Sequence, residues 1–330
     1  MKEGMEKASS IVLLIIFHSL RLCVNGEGLS YNFYEHSCPQ VEDIVRGAMG
    51  AVFITDPSSP SALLRLMLHD CQVQGCDASI LVDEGGTEGM KIPSEVSAAK
   101  NFGIRRRDLI SHAKSMLESI CPGQVSCSDV IILAAREAVA FSGGPYINVP
   151  MGRRDSSNIP SDKLADSSLP SSNIQVDDML FLFSQKGMTT EESVAIMGAH
   201  TIGVTHCRNV MNRLYKSDSG SSNGLDPSYE FMLRAACPQF CLTPNISIVA
   251  NDLTMVIFDN HYYTSLMAGQ GVLSIDTAMT SDPRTAPIVA RFASDQDHFF
   301  NAFSSAFVKL SYTGVLTREQ GVIRENCASI

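Results

Sequence analysis

Residues 65–79 read Arg-Leu-Met-Leu-His-Asp-Cys-Gln-Val-Gln-Gly-Cys-Asp-Ala-Ser, and this stretch decides the fold prediction. In its first half, Arg65 and His69 stand four residues apart, so on a helix they share one face. The leucines around them make this helix so apolar that we expect it to be buried, although an ordinary surface pair is the alternative. A buried cation beside a titratable base can take up a proton and stabilise developing negative charge.

The second half of the stretch is a short acidic loop between two cysteines, with side-chain oxygens on Asp70, Asp77 and Ser79. Main-chain carbonyls such as those of Val73 and Gly75 would complete a shell of about six or seven oxygens, which is the coordination that Ca²⁺ prefers. A solvated acidic turn is the simpler alternative.

A second histidine lies in small-residue surroundings, in Gly198-Ala199-His200-Thr201-Ile202-Gly203. The small neighbours would let a large flat group approach the imidazole. A histidine that favourably ends a helix would show the same pattern, because the helix dipole attracts positive charge there.

The composition is globular, with 330 residues of which 45% are hydrophobic and 18% are charged. The net charge of −10 argues against a basic nucleic-acid footprint. The longest apolar run, Ile11 to Phe17, is too short to span a bilayer. We therefore expect neither nucleic acid nor a membrane as a partner.

Periodicity and capping signals predict one mainly helical unit without internal repeats. A Ser-Pro pair at 59–60 and a Thr-x-x-Glu capping box at 189–192 each mark a helix start. The ranges expected to be helical are 41–54, 62–69, 129–141, 177–185, 189–200 and 299–310. Two short runs, 147–149 and 273–275, are expected to be strands.

The cysteines and the N-terminus both indicate export. Residues 1–28 have the pattern of a signal peptide, in which Lys2 and Lys7 precede the apolar run, although an amphipathic first helix is the alternative. Of ten cysteines, Cys23 lies in this leader, and the other nine leave at least one thiol unpaired or bonded to another chain. A glycosylation sequon begins at Asn245.

These features together resemble one family, the secretory plant peroxidases, which are class III of the haem peroxidase superfamily. The resemblance extends from about residue 29 to residue 330, and a series of motifs this long and ordered does not arise by chance. The motifs are Phe33-Tyr34-x3-Cys38-Pro39, Arg65-Leu66-x2-His69-Asp70-Cys71, Gly75-Cys76-Asp77-Ala78-Ser79, Cys121-Pro122, Val125-Ser126-Cys127, Gly152-Arg153-Arg154-Asp155, Gly198-Ala199-His200-Thr201-Ile202-Gly203, Phe258-Asp259-Asn260-x-Tyr262-Tyr263 and Cys327.

The resemblance implies an all-α haem peroxidase fold over residues 29–330, mainly helical with few short strands. A distal lobe of about 29–165 and a proximal lobe of about 166–330 would enclose one haem b. His200 would be the axial ligand of the haem iron, and Asp276 would accept the hydrogen of its other ring nitrogen.

On the distal side the resemblance implies a catalytic group built around His69. His69 would take a proton from hydrogen peroxide and return it to the leaving oxygen, while Arg65 would stabilise the charge. Asn101 would anchor His69, and Glu95 would support Asn101. Pro170 matches the proline at the family's substrate edge.

Two calcium sites are also implied by the resemblance. Asn251 falls where the family has aspartate, with the loss of one negative charge, so we expect weaker calcium binding at the proximal site. The distal ligands would be Asp70, Val73, Gly75, Asp77 and Ser79, and the proximal ones Thr201, Asn251, Thr254, Ile257 and Asp259.

The resemblance further implies four disulfides, which leave Cys241 as the odd thiol. Cys241 could instead compete with Cys237 for Cys207. The implied pairs are Cys38–Cys121, Cys71–Cys76, Cys127–Cys327 and Cys207–Cys237.

The implied activity is that of an extracellular haem peroxidase, which reduces hydrogen peroxide while small phenolic donors are oxidised in one-electron steps. We expect a monomer that is secreted to the cell wall, with the vacuole as another destination. The alternative function is a haem-containing wall-binding protein with weakened catalysis, and a haem-free module held by disulfides and calcium is a third.

Three residues beside the distal histidine keep the weakened alternative open. Met67 and Leu68 stand where the family has His and Phe, and Gln72 replaces a common Phe. Without an aromatic ring at position 68, we expect a more open distal face and more oxygen transfer to small sulfides.

Overall fold

The computed structural model describes residues 28–85, 93–215, 224–240 and 242–330. Within these ranges the chain forms thirteen α-helices and two short strands, so the mainly helical fold class is confirmed. The predicted signal peptide lies outside the described residues except for Gly28, and Cys241 also lies outside them. The helices are α1 (Val41–Thr55), α2 (Ser59–Val73), α3 (Arg107–Ile120), α4 (Cys127–Phe141), α5 (Asp162–Ser168), α6 (Val176–Ser184), α7 (Thr190–Met197), α8 (Met211–Tyr215), α9 (Pro227–Ala236), α10 (His261–Met267), α11 (Ser274–Ser281), α12 (Ala286–Ser294) and α13 (Gln296–Ser311).

The helix that contains Arg65 and His69 packs into the centre of the molecule. Helix α2 runs along α4, whose residues 127–139 are all buried. The Ser126 hydroxyl caps α4 by accepting a hydrogen bond from the Asp129 amide at 3.1 Å. Burial of α2 on this scaffold fixes the direction in which the Arg65 and His69 side chains point.

The strands form in other places than the sequence pattern predicts. Strand β1 (Val204–His206) pairs antiparallel with β2 (Ile248–Ala250), whereas 147–149 forms no strand. The run 273–275 instead begins helix α11, because the Asp276 carboxylate accepts a hydrogen bond from the Leu273 amide at 2.7 Å and caps the first turn.

The described residues contain four disulfides, and they are the four that the resemblance implies. The bond between Cys207 and Cys237 excludes Cys241 as the partner of Cys207. The bond from Cys127 to Cys327 spans 200 residues and holds the chain end against the first lobe, where Arg154 also bridges to Leu316. No helix in the described part of the chain is long and apolar enough to cross a membrane.

Candidate active site

The distal histidine is held in one tautomer by its neighbours on both ring nitrogens. Arg65 Nε donates to His69 Nε2 at 3.2 Å, so Nε2 carries a lone pair. The proton therefore lies on His69 Nδ1, which donates to Asn101 Oδ1 at 2.6 Å. The base thus has its free lone pair on the nitrogen that faces Arg65.

Asn101 is fixed by the main chain of Glu95, the residue that the resemblance implies as its support. Its side-chain Nδ2 donates to the Glu95 carbonyl at 2.7 Å, which sets the direction of the amide. Both residues lie on short 3₁₀ turns, Glu95–Ser97 and Ala99–Asn101, and both are fully buried. Glu95 therefore supports Asn101 through its carbonyl, while its carboxyl points elsewhere.

The charges at this site suit a neutral base beside a cation. Burial, followed by the charge of Arg65, lowers the pKa of His69 to about 3. Burial, followed by the charge of Arg105, lowers the pKa of Arg65 to about 10. At neutral pH the imidazole is thus uncharged and able to accept a proton, while the guanidinium remains positive.

Arg65 belongs to a larger basic cluster, which connects the distal residues 102–105 with the strand that follows His200. Arg65 donates to the Phe102 carbonyl at 3.0 Å, and the Phe102 ring contacts the His206 ring edge-on and the Arg208 guanidinium face-on. Arg65, Arg105 and Arg208 form no ion pair with a carboxylate among the described residues. Such a cluster suits a ligand that carries negative charge at one edge.

The proximal histidine faces a buried carboxylate. His200 lies on the 3₁₀ turn Gly198–Thr201, directly after α7, and its Nδ1 is 3.6 Å from Asp276 Oδ1. That nitrogen is buried and has no hydrogen-bond partner in the described part of the chain. Asp276 is held by Tyr262, whose hydroxyl donates to Oδ1 at 2.7 Å. With Nδ1 directed at the carboxylate, Nε2 is the nitrogen left for a metal.

The acidic loop after His69 gathers buried oxygens that have no hydrogen-bond partner within the described residues. They are Asp70 Oδ1, Ser79 Oγ and both carboxylate oxygens of Glu95. Burial raises the pKa of Asp70 well above its usual value, and the charges of Asp77 and Glu95 add to this. Burial likewise raises the pKa of Glu95 to about 7. Unpaired, mutually repelling carboxylates are what a bound cation would stabilise.

A second oxygen cluster surrounds Thr201, and it contains Asp252, the neighbour of Asn251. Thr201 Oγ1 lies 3.0 Å from Asp252 Oδ2 and 3.1 Å from Asp259 Oδ1, and Thr254 Oγ1 is 3.1 Å from the same Asp259 oxygen. Asn251, which the resemblance implies as a ligand here, makes a different contact. Its Oδ1 accepts from Thr205 Oγ1 at 2.7 Å, across the strand pair.

Asn251 and Asp252 lie in the bend directly after β2, where the two adjacent side chains bond to different partners. The cluster contains two carboxylates, whereas the expectation of weaker calcium binding rested on the loss of one. Ile257 lies beside the cluster, and its amide donates to the Thr254 carbonyl at 2.6 Å.

The remaining predicted residues have separate positions. Pro170 follows Leu169, whose carbonyl accepts from Lys100 Nζ at 2.6 Å, so it lies beside the Asn101 segment. Gln72 donates to the Ser168 carbonyl at 3.2 Å. Asn245 is exposed in the loop that precedes β2.

Comparisons with known proteins agree with this geometry. A family model described as peroxidase matches residues 45–295. Peroxidase 29 of Arabidopsis thaliana is 58% identical over 309 residues, which cover 93% of this chain and 90% of that protein. The chain belongs to the secretory plant peroxidase family. Peroxidase 28 and Peroxidase 63 of the same plant are 40% and 38% identical over 96% and 100% of this chain, and over 97% and 99% of their own lengths.

As a member of the peroxidase family, the protein is a haem-dependent enzyme that reduces hydrogen peroxide and oxidises a donor. Its residues fit the cofactor. His200 presents an imidazole whose buried Nδ1 faces Asp276, and the cluster of Arg65, Arg105 and Arg208 would offer counter-charges to the carboxylates of a haem.

Some residues of this peroxidase were not identified from the sequence. Asp252 was not assigned because the motif register pointed to its neighbour Asn251. Tyr262 stands in a recognised motif, yet nothing in the sequence indicated that its hydroxyl bonds Asp276. The contacts of His206 with Phe102 join segments about one hundred residues apart, which no local pattern reveals.

Proposed function

We propose that the protein is a secreted haem peroxidase of phenolic donors, in which His69 and Arg65 activate hydrogen peroxide. The observation that carries the proposal is the pair of hydrogen bonds at His69, from Arg65 at 3.2 Å and to Asn101 at 2.6 Å. Together they leave a neutral imidazole with its lone pair beside a cation in a buried site.

His69 acts first as a base. Its Nε2 accepts one proton from hydrogen peroxide, and the resulting charge on the ring is stabilised by the Asn101 oxygen at Nδ1. The same nitrogen then returns the proton to the leaving oxygen, which departs as water. The low pKa of His69 makes the return of this proton favourable.

Arg65 acts as a fixed positive charge. Its hydrogen bond to the Phe102 carbonyl holds the guanidinium beside His69 Nε2, where negative charge develops as the oxygen–oxygen bond breaks. Since the site is buried, this charge is less screened than it would be in water.

On the proximal side, His200 Nε2 would bind the haem iron, with Asp276 as the acceptor for Nδ1–H. Haem supplies the redox chemistry in which two electrons reach the peroxide and are replaced one at a time from donors. A carboxylate acceptor increases the basicity of the imidazole, which favours oxidised iron.

Calcium is proposed at both oxygen clusters. The distal ion would bind Asp70, Asp77 and Ser79 with the carbonyls of Val73 and Gly75, and would neutralise the buried acidic group beside Glu95. The proximal ion would bind Thr201, Asp252, Thr254, Ile257 and Asp259. Both loops flank the histidines, so bound calcium would stabilise the active-site geometry.

The finer features of the proposal follow from the surroundings of the site. Small phenols would enter near Pro170, beside the partly buried Leu68. The four disulfides, the predicted leader over 1–28 and the exposed sequon at Asn245 support secretion, most simply to the cell wall. We propose a monomeric haem domain over 29–330.

The test is an absorption spectrum of the haem-loaded protein before and after one equivalent of hydrogen peroxide. We expect a haem Soret band that changes within seconds and returns when a phenol such as guaiacol is added. An unchanged Soret band would contradict the proposal and would favour a haem-containing binding protein with failed distal chemistry.

A further inference from the structure

Arg213 is a buried arginine close to the proximal pair, and the peroxidase reaction as described above does not use it. It lies on α8 and is 7% exposed. No ion pair with a carboxylate is formed by its guanidinium within the described residues. Burial lowers the pKa of Arg213, and Asp276 is the largest opposing influence. Burying a cation without a paired carboxylate costs free energy, so we expect Arg213 to have a structural role.

The Arg213 guanidinium bonds mainly to the main-chain carbonyls of one short segment, residues 271–273. Arg213 Nη1 donates to the carbonyls of Gly271, Val272 and Leu273 at 2.7, 2.8 and 2.8 Å. Its Nη2 donates to the hydroxyl of Thr277. One side chain therefore holds both the entry to helix α11 and the first turn of that helix.

This segment is also what orients Asp276. The Leu273 amide donates to Asp276 Oδ2 at 2.7 Å, while the Leu273 carbonyl accepts from Arg213. Gly271 packs so closely that a Cβ on it would lie 2.7 Å from the Asp276 Cβ. The position of the carboxylate thus depends on segment 271–273, and the position of that segment depends on Arg213.

We propose that Arg213 is a positioning residue for the proximal pair, which holds segment 271–273 so that Asp276 accepts the hydrogen of His200 Nδ1. The proposal rests on the proposed role of His200 as iron ligand. The planar guanidinium reaches segment 271–273 with Nη1 and Thr277 with Nη2 at a fixed angle, whereas a lysine ammonium has a single nitrogen and cannot reproduce that fork. The shape of Arg213, and not its charge alone, therefore sets how Asp276 faces His200 Nδ1.

The experiment measures the iron–histidine stretching frequency of the ferrous haem protein by resonance Raman spectroscopy, with the ferric/ferrous midpoint potential as a second readout. A stronger hydrogen bond to Asp276 makes the imidazole more basic, raises this frequency and lowers the potential. In Arg213→Lys, which keeps the charge, we expect a lower frequency and a higher potential than in the wild type. In Arg213→Met we expect a frequency at least as low.

Arg136→Met is the matched control, because Arg136 is fully buried but pairs with Glu137 on α4, away from α11. It should lower the melting temperature without moving the frequency. If Arg213→Met does not fold, Thr277→Val removes one acceptor of the same guanidinium and should lower the frequency slightly.

If Arg213→Lys has the wild-type frequency and potential, the proposal is overturned, because a positive charge at this position is then sufficient without the guanidinium shape. A shift in Arg136→Met as large as that in Arg213→Lys would also overturn it, since destabilisation alone would then account for the change. If the wild-type protein shows no iron–histidine band, the role of His200 fails instead, which distinguishes the two failures.

Discussion

The two histidines of this peroxidase are supported in different ways. On the distal side, His69 is held by bonds of 3.2 and 2.6 Å, and Asn101 is held in turn by the Glu95 main chain at 2.7 Å. On the proximal side, His200 Nδ1 is 3.6 Å from an Asp276 oxygen that already accepts from a tyrosine. The distal imidazole is therefore fixed by direct contacts, whereas the proximal one depends on how its carboxylate is placed.

The two oxygen clusters also differ, in how many of their oxygens have hydrogen-bond partners. Near Thr201 the hydroxyls bond to the carboxylates, and none of these side-chain oxygens is among the buried atoms of the described residues that lack a partner. Near Asp70 the oxygens are buried without partners, and burial raises the pKa of both Asp70 and Glu95. This contrast predicts that the distal loop depends more strongly on the proposed cation than the proximal one does.

The largest effect on the distal side is expected from His69→Ala. Loss of a positioned acid–base group should slow the reaction with hydrogen peroxide by about 10²–10⁴-fold, measured by stopped-flow absorption in the Soret region. His112→Ala, at an exposed histidine of α3, should react at the wild-type rate. A rate within threefold of the wild type in His69→Ala would require a different base, where about threefold is only about 0.7 kcal/mol.

The next test concerns the cation dependence of the two clusters. Without calcium, Glu95 in the folded protein has a pKa of about 7 against an ordinary value of 4.5, so the folded state holds a proton that the unfolded state has released. The contribution of Glu95 to the free energy of unfolding should therefore be complete below about pH 4.5 and be lost as the pH rises to about 7, by on the order of 3 kcal/mol.

Chemical denaturation of the chelated protein between pH 4.5 and 7.5 measures this slope. Glu95→Gln, which keeps the main-chain carbonyl that holds Asn101, should not lose this contribution, so its stability relative to the chelated wild type should rise between about pH 4.5 and 7. Added calcium should remove the difference in slope. Parallel profiles of the chelated wild type and Glu95→Gln would contradict the predicted dependence of the distal loop on a cation.

A smaller effect should distinguish Asp252, which lies in the proximal cluster, from its neighbour Asn251. Asp252→Asn removes a carboxylate from the group around Thr201 and should weaken calcium binding at that site by at least about tenfold, measured by calorimetry. Asn251→Ala removes only a bond to Thr205 and should leave the affinity unchanged. The reverse result would restore the register expected from the sequence.

The smallest expected effect is on the rate of sulfide oxidation, and it comes from a substitution at Leu68. Leu68 is partly buried at the edge of the core, and Leu68→Phe would place a ring where the family usually has one. Since the ring would narrow access, we expect a few-fold lower rate of methyl phenyl sulfide oxidation, measured by chromatography of the sulfoxide. Phenol oxidation is the control, and an unchanged sulfide rate would show that access is set elsewhere.

The sequence was most informative where one motif contains the whole feature. Arg65 and His69 lie on one helix, and the acidic loop follows them without a gap, so their proximity needs no tertiary information. The predicted helices are present with small differences at their ends, because capping residues such as Ser126 and Thr189 act locally.

Features that join distant segments could not be predicted in this way. Whether Asp252 or Asn251 faces Thr201 is decided by the bend that follows β2, where the two side chains bond to different partners. The run 273–275 looked like a strand by composition, but the carboxylate of Asp276 caps it as a helix.

The sequence by itself determined the family, the two histidines and their charged neighbours, because these are carried by residue types at fixed local spacing. Only the tertiary structure decided which oxygens gather at each cluster and that Arg213 holds the segment that orients Asp276. Those contacts bring together residues about sixty positions apart, and burial makes each buried polar group find its partner across the core.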